Sequence, residues 1–153
     1  MYREIGKRVN RAFRRDRVAR VLLDALDSGP FDGGCLVVAK ALARLFPECK
    51  VATVVRRACG MEIPDHYAVT CPDGGMIDAD GYAPTPQAFL GRFVKNEHSG
   101  DRPASFRVKR RMLEPFSDID DPRAVEDLAR ELGTVLFRQE PEKRKRRKGR
   151  SRP

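Results

Sequence analysis

The apolar positions change period several times along the chain. Ile5, Val9, Phe13, Val18, Val21, Leu22, Ala25 and Leu26 recur at roughly helical spacing among arginines. That pattern predicts one amphipathic helix over residues 2–27, stopped by Asp27-Ser28-Gly29-Pro30. The tight turn Phe31-Asp32-Gly33-Gly34 follows, and then Cys35. Residues 36–46 are apolar almost all round, and Pro47 ends them. A helix with so little polar surface belongs at the centre of a domain.

The period then shortens. Lys50–Arg57, with Val51, Thr53, Val54 and Val55, reads as a strand, and so does His66–Cys71. Glu62-Ile63-Pro64-Asp65 reads as the loop before it. Pro72-Asp73-Gly74-Gly75 is a hairpin-type turn, and Met76–Ala79 returns as a strand. Thr85-Pro86 opens a helix through about Lys95, with threonine as cap and proline at the first helical position. Ser105–Met112 reads as another strand, and Asp121-Pro122 starts a last helix that ends at Gly133. The order predicts an α+β domain with a small antiparallel sheet packed on one central, buried helix.

The 153 residues suffice for one domain with a real core. No apolar run approaches the roughly 20 residues needed to cross a bilayer. The basic N-terminus has no apolar stretch behind it of the kind a signal peptide carries. A cytoplasmic location is expected on these grounds. Charge divides the chain further. The net +9 resolves into +6 for residues 1–20, +7 for residues 141–153 and −4 for the stretch between. Three regions are therefore expected: a basic N-terminal helix over 1–28, a domain over 29–140 and a disordered basic tail over 141–153. The tail run Lys143, Arg144, Lys145, Arg146, Arg147 and Lys148 is a candidate nucleic-acid contact. It holds no aromatic for base stacking, so binding there would be salt-sensitive and indifferent to sequence. Anionic lipid, an acidic protein, or a purely solubilising role fit the same run.

The chemistry-bearing residues lie in the middle. A thiolate is the reactive form of cysteine and is favoured at a helix N-terminus or beside an imidazolium. Cys35 opens the most apolar helix directly after Gly33 and Gly34, whose open backbone lets a substrate approach. A base is also required, and the chain has two histidines. His66 starts a strand; His98, in Asn96-Glu97-His98-Ser99-Gly100, reads as an exposed loop residue. Asp78, one strand further on, can orient His66, with Asp80 and Asp65 as competitors. If residues 72–75 form the loop, position 69 lies opposite 78, and the His66–Asp78 contact then needs a bulge or shift. Tyr82 is placed as a pocket-lining candidate or a core residue. Cys49, Cys59 and Cys71 read as structural. A zinc site made of these three and His66 matches no common ligand spacing. No metal or organic cofactor is expected.

Gly34-Cys35-x-x-x-Ala39, the buried helix, the strand Val51–Val55, His66-x-Ala68-Val69 and Ile77-Asp78 with Gly81 together resemble the core motif of the transglutaminase-like branch of the papain-like cysteine superfamily. The resemblance covers about residues 29–83. It implies a papain-like core, with Cys35 as nucleophile, His66 as base and Asp78 as orienting acid. It also implies a thiol-dependent hydrolase or acyl-transfer reaction on an amide or isopeptide bond of a protein or peptide-like substrate. The chain has no tryptophan, whereas family members often carry one beside the histidine and one before the aspartate. Tyr67 stands at the first place and Met76 near the second. The alternative is an inactive member of the fold that binds nucleic acid or an acidic partner through its basic ends.

Overall fold

A computed structural model describes residues 1–115 and 120–138. Within them the chain forms five α-helices and one five-stranded antiparallel sheet. In chain order these are α1 (Tyr2–Phe13), α2 (Asp16–Leu26), α3 (Cys35–Leu45), β1 (Lys50–Ala58), β2 (Met61–Thr70), β3 (Met76–Asp78), β4 (Gly81–Ala83), α4 (Pro86–Glu97), β5 (Phe106–Lys109) and α5 (Pro122–Leu136). The strand order across the sheet is β4-β3-β2-β1-β5. No described helix is long and apolar enough to cross a membrane.

Helix α3 lies against one sheet face and packs on α5, which α1 and α2 also meet. Val9, Ala12, Val18 and Leu22 from the basic helices join α3, Leu128 and Leu132 in one core, which also takes Tyr67, Val69 and Ile77 from the sheet. Alternate strand residues Ala52, Val54, Ala68, Met76 and Ala83 face the other way and pack on Phe89, Phe93 and Val94 of α4. This alternation follows from the period of two in a strand. The candidate site lies at this division between the two faces.

Four expectations change. Residues 2–27 form two helices, because Arg15 is extended at φ −99° and ψ 130°. The apolar step from Phe13 to Val18 is five residues, and the break brings both stripes back to the core. Residues 62–65 belong to β2, and Glu62, Ile63 and Pro64 pair with β1. Pro64 is tolerated because β3 pairs only with Val69 and Thr70, which leaves that side of β2 without a neighbour in the sheet. Gly133 does not end α5, which runs on to Leu136. A Cβ on Gly133 would come within 3.3 Å of Leu45, so this glycine serves close helix packing. The strand expected over 105–112 is confined to Phe106–Lys109, after a single 3-10 turn at Pro103–Ser105.

Candidate functional site

Cys35 is the first residue of α3, the helix whose sequence is least polar. Gly33 reaches it in the left-handed region, φ +114°. Gly34 donates its amide to Gly29 O at 3.0 Å. A Cβ on Gly34 would lie 2.7 Å from that same oxygen, so glycine is required for the loop to close. Both glycines thus shape the turn that presents Cys35. The first α3 amide to bond back along the helix is that of Val38, to Gly34 O. The amides of Cys35, Leu36 and Val37 form the unpaired first turn, a ready donor set for an oxyanion.

His66 and Asp78 are brought together by register. Thr70 pairs with Met76 and Val69 with Ile77. The hairpin loop is therefore 71–75, one residue longer than the expected 72–75. Cys71 N–H bonds Gly75 O, Gly74 N–H bonds Cys71 O, and Gly75 N–H bonds the Asp73 side chain. Extending this pairing puts Asp78 opposite Ala68, two positions from His66 and on the same face. With the expected register the two would have faced opposite ways; the longer loop removes that conflict. A bulge also exists, but it lies between β1 and β2: Val54 pairs with His66 and Val55 with Pro64, so Asp65 is the extra residue.

The pair is buried. His66 and Asp78 are each 2 % exposed, and His66 Nε2 lies 3.1 Å from Asp78 Oδ2. Nδ1 is then the ring nitrogen that Asp78 does not engage. Burial by itself lowers the imidazole pKa. The hydrogen bond to Asp78, with hydrogen bonding and charge from the Cys35 side chain, outweighs burial and raises it to about 9. The ring stacks nearly parallel to Phe31 and Phe93, at centroid distances of 5.4 and 4.9 Å. Aromatic faces are electronegative and favour a cation between them. Cys35 is 7 % exposed, the most open of the three.

Residues that the sequence reading passed over complete the surroundings. Arg92 Nη2 donates to Asp78 Oδ1 at 2.6 Å and to Gly81 O at 3.2 Å, and its guanidinium lies over Phe89. Asp78 Oδ1 also accepts from the Asp80 amide. The available signal was an arginine placed between Phe89 and Phe93, on the apolar face of a helix. On the opposite face of the sheet, Thr53 accepts from Leu113 N and donates to Arg111 O, while Tyr67 OH donates to Leu113 O. These bonds strap residues 111–113 over β1 and β2. Burial first, then the charges of Cys35 and Glu114, push the Tyr67 phenol up to about 12.

Other candidates lie elsewhere. Tyr82 pairs with Ile77, so it takes the face opposite Asp78. Its hydroxyl donates to Asp73, and its backbone and Cβ pack where Gly6 leaves room. It packs on α1 and faces away from His66 and Asp78. His98 is half-buried rather than exposed: Nε2 lies 2.7 Å from Asp65 Oδ2, and the ring packs on Phe93 and Phe106. Asp65 is thereby engaged away from His66. Asp80 holds Asn96. Cys59 sits exposed in the β1–β2 turn, far along the hairpin from Cys49 and Cys71. Among the described residues no three His, Cys, Asp or Glu side chains are grouped to hold a metal. The basic run 143–148 lies outside the described residues. Comparison of the chain with family models, curated proteins and solved structures gives no match.

Proposed function

We propose that this chain is a thiol-dependent hydrolase or acyl-transfer enzyme of the transglutaminase-like type within the papain-like superfamily, acting on an amide or isopeptide bond. The observation that carries the reading is the buried His66–Asp78 pair, with Cys35 at the start of α3 as the neighbour that helps to raise the imidazole. In this reading the His66 imidazolium holds the proton that Cys35 gives up, and the sulfur attacks the substrate carbonyl carbon. The oxyanion that forms is met by the first-turn amides of α3. Collapse of the adduct breaks the C–N bond, and the leaving nitrogen takes the proton from His66. Water or an acceptor amine then attacks the thioester, gives its proton to His66 and frees Cys35. Asp78 holds the ring throughout, and Arg92 holds Asp78.

The test of the main reading is modification by a thiol alkylator near neutral pH, with adducts mapped by mass spectrometry. Cys35 reacts faster than the other three cysteines, and His66→Ala removes that preference. Equal or slower modification of Cys35 refutes the nucleophile assignment.

A further inference from the structure

The two cysteines that the proposed reaction leaves unused lie against each other. Cys49 Sγ and Cys71 Sγ are 3.5 Å apart, buried, at 2 % and 6 % exposure, and 22 residues apart in sequence. They occupy the pair of positions next to Lys50↔Thr70, where β1 begins and β2 ends. Their backbones do not exchange hydrogen bonds: Cys49 N–H bonds Phe46 O, and Cys71 N–H bonds Gly75 O. Opposed residues of this non-hydrogen-bonded kind approach to about 4.5 Å between Cα atoms, inside the range that a disulfide spans. We propose that Cys49 and Cys71 are a disulfide-forming pair, a reversible oxidation site that clamps the end of the β1–β2 hairpin.

The chemistry is exchange with a small-molecule disulfide. One protein thiol loses its proton and attacks a sulfur of the oxidant, releasing one thiolate. The second protein thiol loses its proton and attacks the protein-bound sulfur, and the other half of the oxidant leaves. Two protein thiols and one oxidant disulfide become one protein disulfide and two small thiols. The surroundings make the pair slow rather than reactive. Tyr2 reaches over this end of the sheet to bond Glu48. Burial first raises both thiols, and the Glu48 and Asp73 charges add to it. The site lies beyond the C-terminal end of α3, whereas Cys35 opens its N-terminal end. Closing the bond therefore leaves the Cys35 region unaltered, and the inference is independent of the proposed reaction.

The test uses the full chain carrying Cys35→Ser and Cys59→Ser, so that no other pairing is possible. The folded protein is held in a buffer of oxidised glutathione and then quenched with acid. Intact mass is expected to fall by two hydrogens with no glutathione retained. The loop-closure effect of the new bond is expected to raise Tm by roughly 10 °C, reversed by dithiothreitol. Thiols that stay free in the folded protein, or that link only after denaturant is added, overturn the proposal. The single variant Cys71→Ser in the parent chain separates this result from the catalytic reading. It abolishes the Tm rise while Cys35 keeps its reactivity toward the alkylator.

Discussion

His66 is an ionisable ring with almost no water around it, so its charge depends on its neighbours. Its pKa of about 9 lies above the ordinary 6.5, which fixes the sign of a stability effect. The protonated ring is favoured in the folded state, so its contribution is complete below pH 6.5 and is lost as pH rises through about 9. That interval corresponds to roughly 3 kcal/mol. Denaturant unfolding at pH 6 and pH 9.5 should show this loss in the parent and a flatter dependence in His66→Gln. Arg92 competes with the ring for Asp78. Removing its charge in Arg92→Met moves the His66 titration, followed by NMR, upward from the parent value. Asp78→Asn moves it downward and also leaves Arg92 without its carboxylate, at a stability loss of roughly 3 kcal/mol by urea unfolding. Equal pH dependence in the parent and His66→Gln would show that the ring is not charged in the fold.

At the scale of elements, two short devices hold the ends of longer ones. Thr85 Oγ1 accepts from the Ala88 amide and starts α4, which carries Arg92, Phe89 and Phe93 to Asp78 and His66. Thr85→Ala should lose about 1 kcal/mol of stability, and that loss bears on the site through α4. Thr53 is completely buried, and its hydroxyl makes both bonds of the strap. Thr53→Val leaves Leu113 N–H and Arg111 O without their partner and should destabilise by roughly 1–3 kcal/mol. Hydrogen exchange localises the change: the Leu113 amide exchanges faster, while Val54 and Val55, held in the centre of the sheet, keep their protection. Much of this level is visible in sequence. The Thr85-Pro86 and Asp121-Pro122 starts are local chemistry, and both helices begin there. The register of β2 against β3 was not visible, because one extra loop residue changes the facing of every side chain beyond it. The strap was equally hidden, since its bonds join residues 46 to 60 positions apart.

For the whole molecule, charge and core are arranged differently. The basic helices α1 and α2 belong to the main core, and two of their arginines bond α5. Arg8 donates to Leu136 O at the end of α5, and Arg17 pairs with Glu131. The +7 of residues 141–153 stands beyond the described residues. Truncation at 138 should weaken binding to a polyanion such as heparin, with a shallower dependence on salt. Unchanged affinity for the polyanion would assign its binding to the N-terminal arginines.

The sequence by itself determined the α+β class, the central helix headed by Gly-Gly-Cys, and Cys35 and His66 as the residues to examine. These follow from periodicity, caps and residue chemistry, which act over a few positions. Tertiary structure decided that Asp78 shares a face with His66, that Arg92 holds Asp78, that Tyr82 faces away, and that Cys49 meets Cys71. Each depends on loop length, strand register or helix placement. Those are settled by the packing of distant segments, where a one-residue change turns a side chain from one face of the sheet to the other.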